Sequence, residues 1–192
     1  MHVLEGRGEA RAEPAAGDGL MLSRTQPRPA NAPDLSLAEI QNPMIDAYLG
    51  ALPEGREPRI LASRTVFVTD DGRDALRLAE VGLGRHRARM TRLGRAVGDG
   101  SLEGMIAAMD AHLGTPDQVI ASLRTDSTLA RATDLAVQVH SIDPPHPFIL
   151  RSIELVAETV APALGFGRNG SDADAPREHR APALLAAAPK GR

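Results

Sequence analysis

The feature that most restricts the fold is a regular alternation between strand-like and helix-like segments. Apolar runs of strand length occur at 19–23, 59–69 and 134–140, and segments with helical spacing lie between and after them. Strands separated by helices cannot pair as hairpins, so we expect these three to run parallel and to be joined by right-handed crossovers. The alternation therefore predicts an α/β fold with a parallel sheet.

The helical segments carry recognisable start signals. Ser36, with Glu39 three residues later, forms a predicted capping box for a helix at 37–52, which Pro43 is expected to kink or split. Thr115 is a predicted N-cap, and the proline after it suits the first helical position. The pattern as a whole predicts helices at 37–52, 70–95, 101–113, 115–124 and 148–164.

The two ends of the chain differ from its middle. Residues 1–16 and 167–192 mix charges, Gly and Pro without a sustained period, which predicts a loose N-terminal arm and a disordered tail. The foldable region is then 17–166. Because a parallel sheet with only three visible strands would be mostly edge, the sequence predicts a portion of a larger structure.

Composition excludes several classes of protein. A formal net charge of −3 and an aromatic content of 2% argue against a nucleic-acid partner. The chain has no Cys, and its histidines lack metal-ligand spacing, so no disulfide and no metal site are predicted. No apolar run is long enough to span a bilayer, and a signal-peptide pattern is missing. We therefore expect a soluble cytoplasmic protein without a membrane partner.

Four segments carry a family resemblance. They are "GDGLMLSRTQPRP", "RILASRTVFVTDDGRDALRLAE", "HLGTPDQVIASL" and "DLAVQVHSIDPPHPFILRSIELVAETVAPAL", in that order. Together they resemble the C-terminal part of the luciferase-like flavin monooxygenases, the family of bacterial luciferase and alkanesulfonate monooxygenase. The most specific piece is Gly-Thr-Pro-Asp-Gln-Val before a helix, followed by a strand and a terminal helix that ends in "VAPAL". The resemblance covers residues 17–166.

This resemblance implies both a fold and a chemistry. The fold is a TIM (β/α)8 barrel, of which the chain would hold about the last three βα units and lack about the first five. The cofactor is reduced FMN, supplied by a separate reductase, which with O2 serves to oxygenate a small organic substrate. A chain with so few units would be a fragment, a truncated gene product or a domain completed by another chain. Whether it is an enzyme by itself therefore stays open.

Within such a barrel, the candidate site residues follow the ends of strands, where the chemistry of a TIM barrel lies. Arg24 comes directly after the first strand, where its guanidinium would hold a flavin phosphate or carbonyl. The alternative is a solvated Arg24 paired with Asp18 or Asp34.

The last strand supplies a second group of candidates. His140 ends this strand and is a predicted catalytic donor, the alternative being a ring satisfied by a backbone carbonyl. Ser141 is predicted to join the cofactor site. His146 lies just before Pro147, so we expect it to cap or orient the final helix.

The strand at 59–69 contains three polar residues among apolar ones. By period-two alternation, Ser63 and Thr65 share one face and Arg64 takes the other. Ser63 and Thr65 fall where alkanesulfonate monooxygenases carry an Arg-x-His pair, so the resemblance implies catalytic positions with a different substrate chemistry. Arg64 either pairs with a carboxylate or faces a wet active site, where it would bind the cofactor.

Two functions from different classes remain after the sequence analysis. The first is the flavin-dependent monooxygenase, with flavin and a small molecule as partners. The second is a non-catalytic α/β module that joins a second copy, or a complementing chain, through its open sheet edge.

Overall fold

The computed structural model describes residues 19–29, 31–32, 35–94 and 99–166, so the predicted arm and tail lie outside the described residues. Within these ranges the chain forms one sheet around a long central strand. The strands are β1 (Leu20–Leu22), β2 (Ile60–Val68), β3 (Ala111–Gly114) and β4 (Asp134–Gln138). Every pairing in this sheet is parallel, which confirms the predicted α/β class and strand direction.

The strand β2 has a neighbour on each edge. On one edge β1 runs beside its first part, with Leu20 opposite Ile60, and β3 runs beside its last part, with Thr65 opposite Ala111. On the other edge β4 pairs with 61–65. β1 and β4 therefore both end beside the middle of β2, while β2 continues toward α2 with β3 as its neighbour.

Five helices connect and follow these strands in the described part of the chain. They are α1 (Leu37–Ala51), α2 (Gly72–Arg92), α3 (Leu102–Ala108), α4 (Pro116–Arg124) and α5 (His146–Leu155). A π-helical segment (Val156–Val160) and a last helical turn (Ala161–Ala163) continue α5.

The capping signals at the helix starts are confirmed. Ser36 with Glu39, and Thr115 with Gln118, form complete capping boxes at the starts of α1 and α4. Pro43 does not split α1. Since Pro43 is exposed, the carbonyl that loses its amide partner lies on the water side of the helix.

One element differs from the prediction. The helix expected at 101–113 ends at Ala108, and the strand β3 follows it. Asp110 takes a left-handed φ of 47°, which stops the helix and turns the chain. The next four residues then pair with 65–68 of β2, on the same edge as β1 and beyond its end. The expectation of three strands was therefore wrong, because the described sheet has four.

The two faces of this sheet are packed differently. The covered face carries the β2 residues Ile60, Ala62, Arg64, Val66 and Val68 and packs on α1, α4 and α5 with its π-helical extension. The open face carries Leu61, Ser63, Thr65 and Phe67. At its beginning, Met21 stands opposite Leu61 and is 74% exposed.

The open face is enclosed from Thr65, which is 1% exposed, to its end. Phe67 lies in a second apolar cluster with residues of α2, α3 and the loop after β4, among them Leu83, Met105 and Ile142. Gly82 permits this closure, because a Cβ there would lie 1.6 Å from the Ile142 carbonyl oxygen. Among the described helices none is both long and apolar enough to cross a membrane.

Candidate functional site

Polar side chains from three strands meet on the open face where β1 and β4 end. The guanidinium of Arg24 reaches from the turn after β1 to Thr65 of β2, with its NH1 donating to Thr65 Oγ1 at 3.3 Å. Thr65 stands opposite Gln138, the last residue of β4. His140 follows two residues later, and its Nε2 lies 2.9 Å from Gln138 Nε2. The structure thus brings Arg24, Thr65 and His140 to the same end of the sheet.

The contact with Gln138 indicates which ring nitrogen of His140 accepts a hydrogen bond. An amide nitrogen only donates hydrogen bonds, so His140 Nε2 is the acceptor in this pair. The other ring nitrogen, Nδ1, then carries the N–H group. Since His140 is exposed, this N–H group can donate to a ligand that lies on the open face.

Gln138 is a site residue that the sequence analysis missed. Residues two apart in extended chain point to the same face of the sheet. Gln138, at the end of β4, is therefore expected to point to the same side as His140. A polar residue two positions before His140 was the signal that would have found it.

Ser63 lies on the open face one step before Thr65, opposite Ala136, and it is half-buried. Its backbone carbonyl accepts from Arg64 NH1 at 2.7 Å. Ser63 therefore faces the same side as the Arg24–Thr65 contact without joining it.

Ser141 lies in the turn between β4 and α5. The amide of Asp143 donates to the His140 carbonyl at 2.9 Å, and Asp143 has a left-handed φ of 51°, so the chain reverses at this point. Ser141 Oγ is buried and has no hydrogen-bond partner among the described residues. His146 is the first residue of α5 and is exposed.

Arg64 sits on the covered face in a fully satisfied environment. Its side chain is 0% exposed, and its Nε donates to Asp126 Oδ2 at 2.5 Å. NH1 donates to the Ser63 carbonyl, and NH2 donates to Gln41 Oε1 at 3.0 Å. Of the two alternatives left by the sequence, these contacts support the carboxylate partner. They offer no support for the predicted cofactor role of Arg64.

The pair with Arg64 also sets the charge of Asp126. Burial alone would raise the pKa of the Asp126 carboxyl group, but the hydrogen bond and the charge of Arg64 outweigh it, so the pKa lies below its ordinary value. The carboxylate therefore stays charged beneath the sheet, and it also accepts from the Thr128 amide at 2.9 Å.

His112 lies beneath the sheet as well, on the covered side of β3. Its Nδ1 is 2.8 Å from Ser122 Oγ of α4, and burial lowers the pKa of its imidazole. It therefore lies on the opposite face of the sheet from the contact between Arg24 and Thr65. In the described ranges no group of three His, Cys, Asp or Glu side chains could hold a metal ion.

A separate shallow cavity of about 320 Å³ opens where α2 and α4 begin. It is lined by residues such as Asp71, Arg73 and Gln118, and by none of the predicted site residues. The Asp71 carboxylate binds the Arg73 guanidinium at 2.8 Å, so the charges at its rim are already paired. We therefore do not treat it as the functional site.

Comparisons with known proteins give partial overlaps. No protein-family model matches the chain, and no curated protein matches it. Among solved structures, it is similar to the monooxygenase RslO1 from Streptomyces bottropensis, with 25% identity over 77% of this chain and a TM-score of 0.47. It is also similar to apo-MsnO8, with 20% identity over 66% of this chain and a TM-score of 0.45.

A third similar structure is the oxygenating constituent of 3,6-diketocamphane monooxygenase from Pseudomonas putida, a type II Baeyer-Villiger monooxygenase in complex with FMN. It shares 23% identity over 66% of this chain, with a TM-score of 0.42. The chain spans 42%, 42% and 38% of the length of these three proteins.

Proposed function

We propose that this chain carries part of the FMN site of a luciferase-like monooxygenase that oxygenates a small organic substrate. The motifs quoted from the sequence support this class. One geometric observation carries the proposal: Arg24, after β1, reaches Thr65 of β2, which stands opposite Gln138, and Gln138 contacts His140 after the end of β4. In this proposal the four parallel strands are an arc of a (β/α)8 barrel, and the open face is its inner surface.

The residues at this site suit a flavin. In the part of the chain that the structure describes, no carboxylate pairs with Arg24, and its one hydrogen bond to a side chain goes to a neutral hydroxyl. Asp18 and Asp34, the alternative partners named from the sequence, lie outside the described residues. A guanidinium can bind a phosphate or a flavin carbonyl. The buried Ser141 Oγ has no hydrogen-bond partner among the described residues. Met21 and Leu61 add apolar surface on the same face, against which an aromatic ring system can pack.

Each residue then has a proposed role. Arg24 and Ser141 hold the cofactor, and Ser63, Thr65 and His140 face the substrate. His140 donates its Nδ1 proton in a hydrogen bond to a substrate oxygen. Reduced FMN, when bound, supplies the electrons with which one oxygen atom of O2 enters the substrate and the other leaves as water. The reductant comes from a separate reductase, as in the family that the sequence resembles.

An FMN titration of the full chain tests the proposal. We expect binding to quench or polarise the flavin fluorescence. We expect Arg24→Ala to weaken it by about 10- to 100-fold, the worth of a hydrogen bond to a charged group. The matched control is Arg77→Ala, which removes the same charge from the outside of α2, where Arg77 pairs with Asp74. If wild type does not bind FMN, or if both variants weaken FMN binding equally, the proposal is wrong.

A second candidate function rests on the edges of the sheet. Among the described residues, the outer edges of β1 and β4 have no strand partner, and Met21 on the open face is 74% exposed. Such edges favour pairing with another chain. On this alternative the chain is a module that assembles with a second copy or a complementing chain. Light scattering coupled to size exclusion would show a dimer, and a monomer over a wide concentration range would count against it.

A further inference from the structure

Gln41 is a polar residue in the apolar stripe of α1. It shares this stripe with Leu37, Ile45 and Tyr48, and it is 0% exposed. A buried amide needs partners for both of its ends. Gln41 Nε2 donates to the Ser23 carbonyl at 2.8 Å, and Gln41 Oε1 accepts from Arg64 NH2 at 3.0 Å. The side chain therefore links the end of β1 to the buried ion pair of β2.

The Ser23 carbonyl belongs to the turn that presents Arg24. Within this turn, Ser23 Oγ accepts from the Thr25 amide at 3.2 Å and lies 3.1 Å from Thr25 Oγ1. Gln41 holds the same turn from the other side, through the peptide group that joins Ser23 to Arg24. The direction of this peptide group determines where the Arg24 side chain starts on its way to Thr65.

We propose that Gln41 is a positioning residue for the flavin site. Its amide is oriented by Arg64, and it fixes the Ser23 carbonyl so that the Arg24 guanidinium is held at Thr65 before a ligand arrives. A pre-formed donor binds its ligand without first losing conformational freedom. The inference rests on the proposed function, because it assigns Gln41 to the cofactor site through Arg24.

One substitution separates this role from a purely structural one. Gln41→Glu keeps an acceptor for the Arg64 guanidinium and removes the donor to the Ser23 carbonyl. If Gln41 serves only to satisfy Arg64, the variant binds FMN with the same affinity as wild type. The matched control is Asn42→Asp, which adds the same charge one residue further along α1 and keeps an acceptor for Arg131.

The first readout is FMN affinity. Gln41→Glu is expected to weaken FMN binding by about fivefold, the worth of one neutral hydrogen bond, and Asn42→Asp is expected to leave it unchanged. In the Arg24→Ala background the effect of Gln41→Glu should vanish, because Gln41 acts through Arg24. Equal weakening in both backgrounds would overturn the inference, and so would wild-type affinity in Gln41→Glu.

The second readout needs no flavin. Trypsin cleaves after Arg24 only when the turn opens, whereas the chain after Arg28 is protected by Pro29. Cleavage after Arg24, measured relative to cleavage after the exposed Arg92, should rise several-fold in Gln41→Glu and not in Asn42→Asp. An unchanged ratio contradicts the positioning role. If wild type fails to bind FMN, the proposed function falls, and this ratio still decides whether Gln41 holds the turn.

A wild-type experiment covers the case in which Gln41→Glu does not fold. In 15N-labelled protein, FMN should shift the side-chain amide signals of Gln41, although Gln41 is buried beneath the sheet. The exposed Gln118, at the start of α4, is the internal control and should not shift. A wild type that binds FMN without moving the Gln41 signals would overturn the inference.

Discussion

The two faces of β2 use polar residues in opposite ways. On the covered face, Arg64 is fully buried, and every nitrogen of its guanidinium has a partner in the protein. On the open face, Arg24 donates to one neutral hydroxyl among the described residues. A satisfied buried group holds the fold together, whereas a partly exposed guanidinium without a charged partner in the described part of the chain is available for a ligand. This contrast supports a stabilising role for Arg64 and is the basis of the binding role that we propose for Arg24.

The largest effect is expected from breaking the covered face. Asp126→Ala leaves the Arg64 guanidinium buried without its counter-charge, and the free energy of unfolding should fall by about 3–5 kcal/mol. Urea denaturation measures this loss. The control is Asp46→Ala, which removes an exposed carboxylate from its pair with Arg131 and should cost about 1 kcal/mol or less. Equal losses in the two variants would mean that Arg64 is not held as the structure indicates.

A smaller effect is expected where the open face is enclosed. Gly82→Ala places a methyl group against the Ile142 carbonyl, so α2 or the loop after β4 must move, at a cost of about 1–3 kcal/mol. Gly84→Ala, one half-turn further along α2, meets no atom within 4 Å. It should stabilise the helix by up to about 1 kcal/mol. Thermal melting compares the two, and opposite shifts of Tm are expected. Shifts in the same direction would show that α2 does not close on this loop.

The smallest effect is expected from a change of pH, which tests the burial of a titratable side chain on the covered face. Because burial lowers the pKa of His112 in the folded state, the unfolded chain binds a proton there more readily. Stability should therefore decline as the pH falls below about 6.5, the ordinary pKa of histidine, and level off below the folded pKa. Stability measured against pH should flatten in His112→Gln. It should keep its slope in Ser122→Ala, since burial and not the hydrogen bond is the main cause. If the pH dependence of stability were lost in Ser122→Ala and kept in His112→Gln, burial of His112 would not be its cause.

Most of the fold could be predicted because its signals are local. Strand-like runs and capping residues identify β1, β2, β4, α1 and α4 without reference to the rest of the chain. The strand β3 could not be predicted in this way. Its four residues continue an apolar helical pattern, and only the free edge of β2 makes them a strand. The left-handed φ of Asp110 is seen in the structure, but the hydrophobic periodicity of the sequence does not predict it.

The candidate site could be predicted only where position alone identifies a residue. Arg24 and His140 follow strand ends, so a parallel sheet brings them to one end. The environment of Arg64 depends on Asp126, which lies 62 residues away in sequence. Gln41 and Gln138 gave weaker signals, one as a polar residue on an apolar helix stripe and one as a polar residue in strand alternation. Their roles follow from contacts between distant segments.

Hydrogen exchange with and without FMN tests the central claim most directly, because it asks which face of the sheet meets the flavin. Our account predicts that saturating FMN slows the exchange of backbone amides at 23–25 and 138–142. It also predicts no change at 119–123 of α4, which packs on the covered face. Protection at 119–123 without protection at 23–25 and 138–142 would contradict the account, as would a map that FMN leaves unchanged throughout.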